Sequence, residues 1–313
     1  MSIIRILIYL AGLITAVFAA LVAFFVRNMV RPPQQEVWTT PAELDMAYED
    51  VQFSSKDGVH LSGWFIPGNV NGRHKGDTVV MAHGWLANRL GGQGKSTLAK
   101  WSGVRGLNVL PLVYALHLAG FNVMMFDFRN HGESASASPV TFGKRESSDL
   151  LSAIDYAANH EESDPERICV IGISMGANTT IFTLPQTTQI KAAVAAQPVT
   201  AAVFNESFAR TLLGSFAPVF TMIINKVYKM AGGPAMDELR PANAAAQAGD
   251  TPVLYIQGTG DPWGSVADVQ GMADATAGAD GVMVAETKDR IEGYEFAINN
   301  PELIIDFFEK HLK

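Results

Sequence analysis

The chain has 313 residues, 48% of them hydrophobic, enough to bury a full core; one domain of about 250 residues plus an appendage is the natural division. The net charge of −8 and pI near 5.4 come without any lysine and arginine cluster, which excludes the basic footprint that a nucleic acid requires. The one cysteine, Cys169, rules out an internal disulfide, and its place in the apolar run Ile168–Ile171 reads as packing.

Ile6 to Val26 is an uncharged run of 21 residues, about 31 Å as a helix and long enough to span the hydrocarbon of a bilayer. A cleaved signal peptide is the alternative, but the run exceeds the usual signal core and continues for six apolar residues past Ala19 and Ala20. The sequence therefore predicts a single-pass anchor over residues 1–31. Arg5 and the amino terminus on one side nearly balance Arg27 and Arg31 on the other, so both orientations stay open. Pro32-Pro33-Gln34-Gln35-Glu36 ends the helix and opens a polar tether over 32–45, with a folded domain from 46 to 313.

That domain begins with an antiparallel pair, Val51–Phe53 and Leu61–Phe65, around the turn signal Asp57-Gly58. Apolar strand runs at Thr78–Met81, Asn122–Phe126, Ile168–Ile171, Ala192–Ala196, Val253–Ile256 and Val282–Ala285 then alternate with helical stretches. The helices are predicted at Leu110–Ala119, Arg145–Asn159, Met175–Leu184, Ser265–Thr276 and Pro301–His311. Such alternation predicts a mostly parallel sheet with helices on both faces. From about 200 to 247 no strand appears, and Phe208, Leu212, Phe216, Val219, Phe220 and Ile223 recur at helical spacing. This stretch reads as an inserted helical cap, with ordinary core helices as the alternative.

Ile168-Cys169-Val170-Ile171-Gly172-Ile173-Ser174-Met175-Gly176 is a strand running into Gly-x-Ser-x-Gly and then a helix. Such a turn exposes a serine oxygen at a helix N-terminus, which favours developing negative charge. The strand Val79–Met81 ends in Ala82-His83-Gly84-Trp85, from which the amides of Trp85 and Met175 are expected to converge on an oxyanion. His83 itself reads as a structural support for that loop.

Taken with these two motifs, Asp127-Phe128-Arg129-Asn130-His131-Gly132-Glu133-Ser134, the helix opening at Gly143, Glu146 and Asp149, and Gln257-Gly258-Thr259-Gly260-Asp261-Pro262-Trp263 resemble the α/β-hydrolase superfamily. The resemblance runs over roughly residues 48–312 and is nearest to its serine esterase and peptidase-like branches. It implies the α/β-hydrolase fold, Ser174 as nucleophile and Asp261 as the triad acid, in the superfamily's chain order.

The third member departs from the pattern. After Asp261 the one histidine is His311, too late for a loop at the carboxyl edge of the sheet. The resemblance puts Arg290, in Asp289-Arg290-Ile291-Glu292-Gly293-Tyr294, where the catalytic histidine is expected. A guanidinium stays protonated and cannot accept the proton of Ser174. It can instead pair with Asp261. His131 is a substitute base by motif, against the reading that it pins its own loop.

Gly91-Gly92-Gln93-Gly94-Lys95-Ser96-Thr97 looks like a phosphate loop, but the pattern needs glycine where Arg89 stands, and no strand immediately precedes it. Its glycines read as a mobile insertion beside the oxyanion loop. No metal-ligand spacing or dinucleotide fingerprint appears, so neither metal nor cofactor is expected. Two functions remain: a membrane-anchored hydrolase of esters, thioesters or amides, or a non-catalytic relative that binds a small apolar ligand or a protein partner. The apolar cap favours a small-molecule substrate with an acyl or aromatic part.

Overall fold

The computed structural model describes residues 3–95, 97 and 105–312. The chain opens with helix α1 (Ile3–Val30), apolar and long enough to cross a membrane. The antiparallel pair β1 (Glu49–Ser54) and β2 (His60–Ile66) follows, then β3 (Thr78–Ala82), α2 (Leu110–Ala119), β4 (Asn122–Phe126) and α3 (Glu146–Ala158). Next come β5 (Ile168–Ile173), α4 (Met175–Thr183), β6 (Ile190–Ala196) and the two long cap helices α5 (Ala201–Leu213) and α6 (Ala217–Met230). The chain closes with β7 (Val253–Gly258), α7 (Val266–Ala275), β8 (Ala279–Ala285), α8 (Arg290–Asn299) and α9 (Pro301–His311).

The strands form one sheet in the order β1-β2-β4-β3-β5-β6-β7-β8. It is parallel from β4 onward, and only β1 and β2 run against their neighbours. Its strands show why apolar runs replaced alternation in the sequence: both faces are covered. Along β3, Val79 and Met81 pack with α2, α8 and α9, while Val80 and Ala82 point into the opposite layer with α3, α4 and α7. Cys169 is fully buried in the first of these layers, as its packing role requires.

Three differences from the sequence expectations bear on the site. First, the segment after Pro33 is not a free tether. Gln34 donates to Ser134 O at 2.7 Å, Gln35 donates to Leu86 O, and Asn88 donates to Glu36 O at 2.8 Å, while Val37 and Trp38 pack on the core. Polar composition hid this, because the glutamines are used to pair loop carbonyls. Second, the predicted cap divides. α5 and α6 join a separate cluster with α1, whereas Ala244, Ala245 and Ala248 cover the sheet beside α4 and α7. Third, α8 was not anticipated. Asp289 caps it by accepting from Glu292 N–H at 2.8 Å.

Gly91 and Gly92 pair with Leu107 and Asn108 in a two-residue ladder. Of the stretch Gly91–Thr97 expected as an insertion, Ser96 lies outside the described residues.

Candidate active site

β5 ends at Ile173 and α4 begins at Met175, so Ser174 alone makes the turn, with φ 57° and ψ −114°. Positive φ strains a non-glycine residue by about 1–3 kcal/mol and persists where the surroundings fix it. Here Ser174 N–H donates to Ala196 O at 2.9 Å and Asn178 N–H donates to Ser174 O at 3.0 Å. The flanking glycines supply space: a Cβ on Gly176 would overlap the Ala82 carbonyl at the end of β3, and one on Gly172 would overlap the Gly176 carbonyl. A Cβ on Gly84 would stand 3.3 Å from Ser174 Cβ, so the loop after β3 lies directly against the serine.

That loop is pinned by His83. Phe128 N–H donates to His83 Nε2 at 3.0 Å, and Nδ1 lies 2.8 Å from Gly84 O, so the ring carries its hydrogen on Nδ1. Burial, helped by His131, pushes the His83 pKa down to about 3. His131 is likewise buried with its pKa lowered, its Nδ1 is 2.8 Å from Arg129 O, and it does not line the cavity that holds Ser174. As a substitute base it is out of place. Its neighbours complete a buried scaffold: Asp127 accepts from Arg89 N and Nη2, both at 2.7 Å, and Arg129 bridges Asp149 at 2.6 Å and Asp57 at 2.7 Å. Arg89, the residue that breaks the phosphate-loop pattern, is thus committed to an ion pair.

Asp261, on the loop after β7, and Arg290, the first residue of α8, are brought to Ser174. Arg290 Nη1 donates to Asp261 Oδ2, while Nη2 donates to Ser174 Oγ at 3.2 Å and to Gln197 O at 2.8 Å. Asp261 also accepts from Trp263 N–H at 3.0 Å and from Gln257 Nε2 at 3.2 Å. Burial opposes the charge on Arg290, but the Asp261 carboxylate outweighs it and holds its pKa above the usual arginine value. Tyr294 lies one turn further along α8, its ring beneath the guanidinium with Arg290 Cζ 5.3 Å from the ring centroid, and it lines the same cavity as Ser174. Burial raises its pKa despite Arg290, so it stands as a neutral phenol. Tyr294 is a site residue that the sequence reading missed. Its signal was the i, i+4 spacing from Arg290 on a helix announced by Asp289-x-x-Glu292.

Ser174, Trp85 and Arg290 line one cavity of about 150 Å³, walled also by Phe204 and Phe208 of the cap, Trp263 and Gln35. Met175 is buried behind the serine as the first residue of α4. The indole N–H groups of Trp85 and Trp263 are buried without a partner. Among the described residues, no group of three or more His, Cys, Asp and Glu side chains is placed to hold a metal ion.

A mostly parallel sheet, a strained serine between its central strand and a helix, and an acid on the loop after β7 define an α/β-hydrolase. Within that class the chain belongs to the prolyl oligopeptidase family, whose pattern matches residues 113–300. It is 30% identical over 239 residues to the uncharacterized protein YfhR of Salmonella typhi, covering 74% of this chain and 70% of that one. Among solved structures it is similar to an esterase of Pyrococcus furiosus, Pf2001, with a TM-score of 0.67, 24% identity and coverage of 91% and 99%. An acylaminoacyl peptidase of Pyrococcus horikoshii gives a TM-score of 0.58 at 19% identity, covering 86% of this chain and 42% of that one. At these identities the two structures speak for the fold.

Proposed function

We propose that this is a membrane-anchored serine hydrolase of attenuated activity, whose pocket takes the acyl or aromatic part of an ester, thioester or amide. In this reading Ser174 is the nucleophile and the amides of Trp85 and Met175 hold the oxyanion. Asp261, the acid of the triad, is paired with a residue that cannot act as base. One observation carries the reading: Arg290 stands between Asp261 and Ser174 and donates a hydrogen to each. A donor at that place occupies the serine lone pair and accepts no proton, so the attack on a carbonyl lacks general-base help. What remains is the oxyanion hole and binding, a residual of about 10³–10⁴ over water in other triads. The apolar walls with two unpaired indole N–H groups suit an acyl or aromatic ligand that carries an acceptor oxygen.

Binding without turnover is the second reading. It is favoured by the full engagement of Asp261, whose two oxygens take Arg290, Gln257 and Trp263 and leave none to orient a base. Hydrolysis of 4-nitrophenyl butyrate by the full-length protein, with Ser174→Ala as control, tests both. Slow turnover lost in Ser174→Ala supports the first reading. No serine-dependent turnover, with ligand-dependent quenching of the pocket tryptophans, supports the second. Turnover at ordinary enzyme rates, about 10 s⁻¹ or more, overturns the assignment of Arg290 as the vacant base.

A further inference from the structure

The tip of the cap carries an exposed apolar face that the pocket does not use. Phe216, Val219 and Met222, at the turn between α5 and α6 and along the first turns of α6, are 73%, 54% and 65% exposed. They sit in a stretch of 15 uncharged residues, 211–225, bounded by Arg210 and Lys226. An apolar patch rimmed by cations on a soluble surface calls for a partner.

The geometry of α1 supplies one. α1 and α6 run side by side in the same direction: Phe18 meets Phe220 with ring centroids 5.8 Å apart. Further along, Tyr228 donates to Val140 O at 2.6 Å, and Val140 N–H donates to Val30 O at 3.2 Å. The Phe216 end of the cap therefore points toward the amino-terminal end of α1. Behind Arg5, the uncharged part of α1 ahead of that packing, Ile6–Val17, has 12 residues. As a helix it measures about 18 Å, short of the roughly 30 Å of a bilayer's hydrocarbon core. With Arg5 at one boundary, the remaining length, about 12 Å or roughly eight residues, comes from Phe18 onward, where α1 is flanked by the cap.

We propose that the cap tip, residues 211–225, enters the hydrocarbon of the lipid bilayer beside α1, with Arg210 and Lys226 marking the headgroup boundary. This rests on the reading of α1 as a spanning anchor. Cations at both ends of the stretch are what an immersed apolar segment requires, since their stems reach the interface while the charge stays in water. The depth has a consequence for the pocket: Phe208 lines the cavity and also packs on Phe25 of α1, with ring centroids 5.8 Å apart. The pocket wall is continuous with the immersed face.

The test uses the full-length protein with Cys169→Ala, so that a single introduced thiol carries a nitrobenzoxadiazole label in phosphatidylcholine vesicles containing nitroxide-labelled lipid. Phe216→Cys and Met222→Cys report on the cap, Val17→Cys on the anchor, and Val70→Cys, 90% exposed on a loop, on water. All four labelled positions are exposed, so none of the introduced thiols opens the core, and the buried Cys169→Ala change is common to all four. The expected result is quenching at 216 and 222 at least twofold above Val70→Cys and close to that at Val17→Cys. Quenching at Val17 but not at 216 or 222 overturns the proposal and leaves the anchor standing. Quenching at neither overturns the anchor reading and, with it, the proposal.

Discussion

Arg290 Nη2 lies 3.2 Å from Ser174 Oγ, and the hydrogen in that contact belongs to the arginine. A histidine at the same place would reverse the direction of donation. Arg290→His is therefore expected to raise turnover of a short activated ester by up to about 10³-fold, the order that triad deletions cost elsewhere. The gain should disappear in Ser174→Ala; initial rates with 4-nitrophenyl butyrate check both. An unchanged rate would mean that the acceptor is elsewhere.

Removing the arginine without replacing its charge has a different effect. Arg290→Met leaves Asp261 buried with only the Trp263 amide and Gln257, and breaking a buried ion pair costs about 3–5 kcal/mol, here expected near the lower figure. Adding Asp261→Leu should recover most of the loss. Melting temperatures of the two variants in detergent decide it; equal losses would show that the bridge contributes no specific stability.

Two elbow and helix glycines give a paired prediction. Gly176→Ala pushes a methyl into the Ala82 carbonyl and should abolish folding or cost several kcal/mol, whereas nothing lies within 4 Å of a Cβ on Gly271 in α7. Gly271→Ala should stabilise by about 0.5–1 kcal/mol, the helix-propensity difference between the two residues.

Acid should destabilise the protein in a defined window. His83, with its pKa lowered from 6.5 to about 3 by burial, and His131, lowered by burial, bind fewer protons folded than unfolded. Their stability contribution is complete above 6.5 and is lost as pH falls below it. Asp149, raised by burial to about 6 from 3.8, acts in the opposite sense between those values. Taken alone, His83 loses about 1.4 kcal/mol per pH unit between about 6.5 and 3, Asp149 offsets this between about 6 and 3.8, and His131 adds to the loss on acidification. His83→Gln, whose amide oxygen can still accept from Phe128 N–H, should flatten the slope of stability against pH. A slope unchanged by this variant would exclude His83 as its source.

High salt should fail to release the full-length protein from membranes, as the apolar α1 predicts. From sequence, a chain beginning at Met46 is expected to be soluble. The structure alters that expectation, because such a chain loses Val22, Phe25, Val26 and Met29 from the cluster that covers Phe208 and Phe220, and Gln35 from the cavity. It should aggregate unless detergent covers the cap, as size-exclusion chromatography would reveal.

Legibility in the sequence followed the range of the interaction. The inner strands were readable because a run such as Val79–Met81 is apolar on both faces, β1 and β2 from the turn signal Asp57-Gly58 between them, and Leu110–Ala119 and Pro301–His311 announce themselves by composition and a following glycine or leading proline. Ser174, Asp261 and Arg290 were readable from motif and chain order, and they meet. What escaped was the side-chain pairing over long separations: Gln35 with Leu86 and Phe208 with Phe25. Gln35 looks like any linker residue until the carbonyl it serves is in view. α8 escaped because its apolar face is short and its cap, Asp289, reads equally well as a loop acid.

Gln35 also works as a ruler. Only five peptide steps separate Val30, the last residue of α1, from Gln35 in the cavity wall, and an extended chain covers at most about 18 Å in five steps. For a chain held by α1, the cavity wall at Gln35 can therefore rise no further from the end of the helix than about the thickness of one leaflet. With α1 spanning a bilayer, as proposed, a molecule passing from the lipid to this cavity would cross little open water, and its solubility in the bilayer would set how much of it the cavity meets.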